Sequence, residues 1–245
     1  MPQTIKMIVQ YDGSNYHGFQ RQQNAHTVQA QIEQGIYQLS GEKAAVACAG
    51  RTDAGVHALG QVIAFNTESA IPPTRWSYAL NSSLPDDIQI ISSSQAENSF
   101  HPRYMAISKH YQYRIYQGDT GIPFCHRYAW CYKVQLNIGY MQEAAAFFIG
   151  RHDLKAFCAS GTAVKTYERR IINCSLQAQD NWVTFDIEAD GFLYNMVRII
   201  MGTLVEVGRG RYSPKAVTNI IKSGQREKAG PTVPPQGLYL VKVNY

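Results

Sequence analysis

The chain has 245 residues, of which 45% are hydrophobic, so it is long enough to form one large domain or two domains of ordinary size. Its formal net charge of +5 is a mild excess that favours a polyanionic partner without identifying one. The five cysteines contain no Cys-x-x-Cys pair, which argues against a disulfide framework and a cysteine-based zinc site. We find no signal-peptide pattern and no long uncharged run, and therefore expect a cytoplasmic protein without a membrane partner.

Residue periodicity and turn residues predict six elements in the first half, in the order strand, helix, strand, strand, helix, strand. They lie at residues 4–11, 28–39, 44–48, 61–65, 75–84 and 88–92. Thr27 is expected to cap the N-terminus of the first helix, and Gly41 is expected to end it. This order is typical of the ferredoxin-like arrangement, in which an antiparallel sheet carries helices on one face.

The second half repeats the same order of elements with longer insertions. They lie at residues 111–116, 136–149, 170–177, 182–189, 191–207 and 238–243, with a turn expected at 118–121. Residues 223–237 are expected to form a mobile basic loop. We therefore predict an α+β protein of two ferredoxin-like (RRM-like) repeats, residues 1–105 and 106–245, whose antiparallel sheets form a continuous central sheet.

The segment GRTDAGVHA at residues 50–58 lies between two predicted strands and carries a single carboxylate, that of Asp53. Two glycines relax the backbone around this acid, and small neighbours would let a bulky group approach it. From these residues alone, an ordinary loop with an aspartate in a turn is an equally good interpretation.

A second signal lies in the predicted helix at residues 191–207, which is apolar on nearly every side and is therefore expected to be buried. Arg198 lies in its middle. Its side chain must either extend to the surface or pair with a carboxylate, because an unpaired buried charge costs several kcal/mol. Glu206 lies beyond the reach of this side chain along the helix. The remaining candidate partners are Asp186, Glu188, Asp190 and Asp53.

Pairing with Asp53 would have a chemical consequence. A guanidinium beside this carboxylate would keep it ionised and orient it, which suits a nucleophile or a base and not a general acid. The loop at residues 16–23 adds Arg21 among aromatic and amide side chains. Such a mixture can contact bases and phosphates, although a polar surface loop is the commoner outcome.

The decapeptide AGRTDAGVHA at residues 49–58 closely resembles the signature of the TruA family of tRNA pseudouridine synthases. The resemblance extends along the whole chain. It includes YDG at 11–13, GFQRQ at 18–22, KHYQY at 109–113, GFLYNMVR at 191–198 and GLYL at 237–240. Phe19 stands where the family often has tryptophan, a difference that does not touch the chemistry.

The resemblance implies an isomerase that converts uridine to pseudouridine at positions 38, 39 and 40 in the anticodon stem-loop of tRNA. It also implies a homodimer that uses no cofactor and no catalytic metal. By position, Asp53 in the first half matches the nucleophilic aspartate. Tyr111 and Arg198 in the second half match the tyrosine that packs on the target base and the arginine paired with the aspartate. Arg51 matches a residue that helps to extrude the base, and Arg21 is a further candidate for binding RNA.

Two other classes of function fit less well. A non-catalytic RNA-binding protein with duplicated RRM-like folds would carry an RNP motif, which we do not find, and would leave Asp53 unexplained. A carboxylate-based hydrolase would need a second acid across the scissile bond, and none is evident near Asp53. We therefore expect Asp53, Arg198 and Tyr111 to converge in one basic cleft.

Overall fold

The structure is a computed structural model that describes residues 2–118, 123–161 and 164–245, so the turn predicted at 118–121 lies mostly outside the described residues. All six elements predicted in the first half are present. They are β1 (Gln3–Tyr11), α1 (Val28–Ser40), β2 (Ala47–Cys48), β3 (His57–Thr67), α2 (Trp76–Asn81) and β4 (Ile88–Ala96).

The second half contains its six predicted elements and three that the sequence pattern did not reveal. In chain order they are β5 (Ser108–Gln117), β6 (Trp130–Tyr132), α3 (Ile138–Ala146), β7 (Gly150–Asp153), β8 (Glu168–Gln179), β9 (Trp182–Ala189), α4 (Met196–Gly208), α5 (Ala216–Ser223) and β10 (Leu238–Asn244). The three unpredicted ones are β6, β7 and α5. The two strands are three and four residues long, too short for a periodic pattern to emerge.

The chain divides into two compact units, and the first consists of the residues up to Ile107 together with Tyr239–Tyr245. In it β1 pairs antiparallel with both β3 and β4, and β2 pairs antiparallel with β3. β10 runs parallel to β3, with Tyr239 opposite His57. Alternate residues of β1 are buried, which is the period-2 pattern that predicted this strand.

The second unit spans Ser108–Leu238. Its strands β5, β9, β8 and β7 pair antiparallel in that order, and β6 runs parallel to β5. Helix α4 is buried along almost its whole length. At its C-terminal end a Cβ atom on Gly208 would lie 2.6 Å from the sulfur of Met141, so α3 and α4 pack closely at this glycine.

These observations confirm a mixed helix-and-strand protein with mostly antiparallel strand pairing, compatible with the predicted α+β class. The ferredoxin-like repeats, the continuous sheet and the division into residues 1–105 and 106–245 stay predictions. Across the residues that the structure describes, no helix has both the length and the apolar character needed to cross a membrane.

Of two predictions at helix starts, one was wrong and the other was confirmed only in position. Residues 191–195 were predicted to be helical but are not. Asn195 adopts the left-handed conformation with φ of 58°, which interrupts a right-handed helix, so α4 begins at Met196. Thr27 does occupy the N-cap position of α1, but its hydroxyl is buried and does not cap the helix. In contrast, Gly41 ends α1 in the left-handed conformation, as predicted.

Residues 223–237 were predicted to form a mobile loop, but Ser223 ends α5 and the segment at residues 224–237 packs against α4. The main-chain N–H of Gly230 donates a 2.8 Å hydrogen bond to the hydroxyl of Thr203. A Cβ atom on Gly202 would lie only 1.9 Å from the main-chain oxygen of Pro231. Ala229 and Val233 are buried as well. The proline and glycine content that suggested a loop instead allows two backbones to approach each other closely.

Candidate active site

Asp53 lies half-buried in the connection between β2 and β3. Its main-chain oxygen accepts a 3.1 Å hydrogen bond from the N–H of Val56, which closes a tight turn over Asp53. Within this turn Gly55 has a φ of 77°, a conformation that favours glycine. The second glycine of the motif is therefore required by the turn that carries the acid.

The residue before the acid, Thr52, is held from two sides. Its hydroxyl lies 2.7 Å from the phenol oxygen of Tyr11, and its main-chain oxygen accepts a 3.1 Å hydrogen bond from the N–H of Phe19. Burial raises the pKa of Tyr11, so its phenol stays protonated and available for this hydrogen bond. Thr52 thus connects the loop to the end of β1 and to the segment at residues 16–19.

Two glycines allow the neighbouring backbone segments to approach this loop. Gly18 has a φ of 92°, and a Cβ atom there would lie 2.6 Å from the main-chain oxygen of Thr52. A Cβ atom on Gly13 would lie 2.0 Å from the main-chain oxygen of Val56. Both distances are too short for any side chain, so these glycines belong to the scaffold of the Asp53 loop.

His57 is buried at the start of β3, where it has a structural role. Its Nδ1 atom accepts a 3.1 Å hydrogen bond from the N–H of Gly13, and its ring stacks on Tyr239 with 4.8 Å between the ring centroids. Asp12 Oδ1 lies 3.2 Å from the same nitrogen. The carboxylate and the imidazole form an ion pair only when the imidazole is protonated. The imidazole therefore joins the turn after β1 to β3 and β10 at the base of the loop.

The two arginines predicted to bind RNA also lie in the first unit, and both are exposed. Arg51 belongs to the Asp53 loop itself. Arg21 is 65% exposed, and its Nη1 atom lies 2.8 Å from a carboxylate oxygen of Glu33 on α1. This ion pair holds the guanidinium at the surface, where a phosphate can reach it. The RNA-binding roles of both arginines stay predictions.

Tyr111 and Arg198 lie in the second unit. Tyr111 is on β5 opposite Ile187 of β9, and the residue is only 7% exposed. Phe192 contacts it edge-on, with ring centroids 4.9 Å apart and an interplanar angle of 75°. Phe192 belongs to the segment that precedes α4, and this segment therefore fixes the orientation of the tyrosine ring.

Arg198 is half-buried on α4, and two neutral oxygens orient its guanidinium. Its Nε atom donates a 2.7 Å hydrogen bond to the main-chain oxygen of Val233, and Nη1 donates one of 2.8 Å to the side-chain oxygen of Asn195. The N–H of Val233 in turn donates to the main-chain oxygen of Arg198. The segment at residues 224–237, whose packing against α4 the sequence did not predict, therefore holds this side chain in place.

The acids considered as local partners of Arg198 make other contacts. Asp186 accepts a 2.7 Å hydrogen bond from His110, and Glu206 forms ion pairs with Arg209 and Arg211 at 3.3 and 3.0 Å. Asp190 accepts a hydrogen bond from the main-chain N–H of Arg170, and Glu188 accepts one from Ser108.

The structure thus places Asp53, Arg51 and Arg21 in one unit, and Tyr111 and Arg198 in the other. The predicted convergence of Asp53, Tyr111 and Arg198 stays a prediction. Within the described residues, no cluster of three or more histidine, cysteine, aspartate or glutamate side chains could hold a metal ion. What the geometry does provide is a carboxylate on a rigid loop and a guanidinium with a fixed orientation.

Comparison with known proteins identifies the family. The family model described as tRNA pseudouridine synthase matches residues 7–105 and 144–245. A protein named tRNA pseudouridine synthase A from Syntrophomonas wolfei is 54% identical over 241 residues, covering 98% of this chain and 97% of its own length. Proteins of the same name from Acetivibrio thermocellus and Moorella thermoacetica are 49% and 46% identical, each over 98% of this chain and 99% of their own length. The chain therefore belongs to the tRNA pseudouridine synthase family of enzymes.

Proposed function

We propose that this protein converts uridine to pseudouridine in tRNA, at positions 38, 39 and 40 of the anticodon stem-loop. The observation that carries the proposal is the family match, which includes the loop that holds Asp53 in a fixed turn. The strand order β4-β1-β3-β2 in the first unit supports the ferredoxin-like repeat that the resemblance implies.

The reaction needs no oxidant, reductant or second substrate. The bond between N1 of uracil and C1′ of the ribose breaks, the base rotates, and C5 of the base forms a bond to C1′. The hydrogen at C5 leaves as a proton, and N1 gains a proton in the product. An enzyme for this isomerisation must activate one glycosidic bond and hold the detached base while it turns.

Asp53 is the group that we propose starts the reaction. Its carboxylate attacks C6 of the base or C1′ of the ribose, or removes a proton from the ribose. Each of these routes requires an ionised carboxylate in a defined orientation. The turn closed by Val56 and the double anchoring of Thr52 support that requirement, because they fix the backbone on both sides of the acid.

Tyr111 and Arg198 are proposed to act on the same uridine. The Tyr111 ring, fixed by Phe192, offers an aromatic surface for the target base, and its phenol can help to remove the proton at C5, which passes to solvent. Arg198, held by Val233 and Asn195, is proposed to keep Asp53 ionised and oriented. These two hydrogen bonds support this role because they hold the guanidinium in a defined orientation.

Arg51 and Arg21 are proposed to bind the RNA. The target uridine is stacked in a stem or loop and must first be flipped out, at a cost of a few kcal/mol. An exposed guanidinium two residues from Asp53 can stabilise the flipped state by contacting the displaced phosphate or by filling the gap. We include in the proposal a homodimer and a cytoplasmic location, as the family resemblance implies.

Mapping of pseudouridine in a defined transcript tests the proposal. The substrate is an unmodified tRNA with uridine at positions 38, 39 and 40, and matched transcripts carry cytidine at one of these positions at a time. We expect pseudouridine at the three positions and its loss only where cytidine was introduced. Binding of tRNA without formation of pseudouridine would instead favour a non-catalytic RNA-binding protein.

A further inference from the structure

Three side chains outside the Asp53 loop form an exposed stack, which we call the His101 stack: His101, Arg103 and Tyr104 in the segment after β4. Tyr104 is 76% exposed, and its ring lies against that of His101 with 4.2 Å between centroids and an interplanar angle of 34°. The guanidinium carbon of Arg103 lies 5.9 Å from the Tyr104 centroid, within cation–π range.

The stack is held by hydrogen bonds to the backbone of its own turn. His101 Nδ1 accepts hydrogen bonds from the N–H groups of Arg103 at 3.1 Å and Tyr104 at 3.4 Å. The N–H of Met105 donates a 3.1 Å hydrogen bond to the main-chain oxygen of His101. These hydrogen bonds hold the imidazole ring in one orientation against the turn.

A second group of rings connects the stack to the rest of the first unit. The phenol of Tyr245 donates a 2.8 Å hydrogen bond to the main-chain oxygen of Pro102, inside the turn. Lys6 Nζ lies 4.3 Å from the Tyr245 centroid and 5.0 Å from that of Phe100. Aromatic rings and cations thus alternate along this surface, and Tyr245 is itself 37% exposed.

We propose that the His101 stack binds an unpaired nucleobase of the tRNA substrate, one other than the reacting uridine, by stacking it on Tyr104. This inference rests on the proposed function, which supplies tRNA as the partner. An exposed aromatic ring offers stacking to any base, and the contacts of Tyr104 with His101 and Arg103 favour one orientation of the ring before the base arrives. Arg103 and Lys6 supply positive charge for the adjacent phosphates, which a purely apolar protein partner would not require.

Equilibrium binding of an unmodified tRNA transcript tests the proposal in the full-length protein. Tyr104→Ala removes the face and is expected to raise the Kd about tenfold or more, within the range measured for one stacked base. Tyr104→Phe keeps the face and is expected to change the Kd less than about twofold. Tyr78→Ala is the matched control, because Tyr78 is a similarly exposed tyrosine of the same unit, 79% exposed on α2.

The other outcomes overturn one proposal or the other. If the wild type forms pseudouridine and Tyr104→Ala binds tRNA as Tyr78→Ala does, the stack does not bind RNA and the proposed function stands. If the wild type forms no pseudouridine while Tyr104→Ala still weakens tRNA binding, the proposed function is wrong and the stack stands. A change of oligomeric state in Tyr104→Ala with an unchanged Kd would make the stack a protein contact. Absence of tRNA binding by the wild type would overturn both.

Discussion

The hydroxyl of Thr52 lies 2.7 Å from the phenol oxygen of Tyr11, and both side chains are buried. This pair connects the last residue of β1 to the residue that precedes Asp53. A loop rich in small residues would otherwise sample many conformations. The pair therefore contributes to the fixed position of the acid, although neither side chain is a candidate for the chemistry.

Tyr11→Phe should separate this positioning role from packing, because it removes the hydroxyl and leaves the ring in place. We expect a loss of about 1–2 kcal/mol in the free energy of unfolding, since Thr52 loses a buried hydrogen bond. We also expect the rate of pseudouridine formation to fall several-fold. Chemical denaturation and single-turnover assays measure the two effects. Thr52→Ser, which keeps the hydroxyl, is the matched control, and equal activity of Tyr11→Phe and wild type would contradict the role.

Gly18→Ala tests the close approach of the segment at residues 16–19 to the Asp53 loop. Gly18 and Gly41 both have positive φ, at 92° and 74°, but only at Gly18 would a Cβ atom meet the main-chain oxygen of Thr52. Each alanine variant should lose about 1–2 kcal/mol of stability through its backbone conformation. Only Gly18→Ala should also lose activity, by about ten- to a hundredfold, because the acid is displaced. Similar activities of the two variants would show that the contact does not position Asp53.

Sequence reasoning located most of the secondary structure because its signals are local. The alternation in β1 and the left-handed glycine that ends α1 are both properties of neighbouring residues. The same reasoning failed at the start of α4. The apolar run from Phe192 suggested a helix, yet Asn195 takes a left-handed conformation, and its side-chain oxygen accepts a hydrogen bond from Arg198.

In the candidate site, residues that act through their side chains were predicted, whereas residues that act through their backbone were not. Asp53 and Arg198 were singled out from the residue pattern and Tyr111 through the family resemblance, and all three signals are carried by side chains. Gly18 and Val233 contribute through backbone geometry and a main-chain oxygen, and such contributions leave no characteristic side chain in the sequence. The packing of Gly202 against Pro231 joins residues that are far apart in the chain, so composition alone suggested a loop there.

Arg198→Lys tests whether orientation matters as well as charge. Lysine keeps the positive charge but cannot reproduce the forked contacts with Val233 and Asn195. We expect kcat/KM to fall at least about tenfold, which corresponds to about 1.4 kcal/mol of transition-state stabilisation. Steady-state kinetics with the tRNA transcript measures this loss. Arg209→Lys is the matched control, because a lysine there can keep the ion pair with Glu206. Full activity of Arg198→Lys would indicate that a point charge suffices.

Asp186 provides a pH-dependent contribution to stability. Partial burial raises its pKa, but hydrogen bonds from His110 and Gln112 outweigh this effect and hold the pKa of Asp186 below its usual range. A carboxyl group with a lower pKa in the folded state stabilises the fold above its unfolded-state pKa of about 3.9. That contribution is lost as the pH falls through the folded-state pKa.

Asp186→Asn should therefore be less stable than the wild type by about 1 kcal/mol at pH 7, and the difference should shrink below about pH 4. Urea denaturation at a series of pH values measures this. Asp180→Asn is the matched control, because Asp180 is exposed in the turn between β8 and β9, and asparagine tolerates its left-handed conformation. A difference between Asp186→Asn and wild type that does not vary with pH would contradict the assigned cause.

The central claim, that Asp53 starts the isomerisation, is tested most directly by release of tritium from tRNA labelled at C5 of uridine. The wild type should release tritium, because the C5 hydrogen leaves when C5 bonds to C1′. Asp53→Asn preserves the shape of the side chain but removes its charge. It should bind the same tRNA within about threefold of the wild-type Kd and release tritium only at background rate. Release by Asp53→Asn at a rate near that of the wild type would contradict the account.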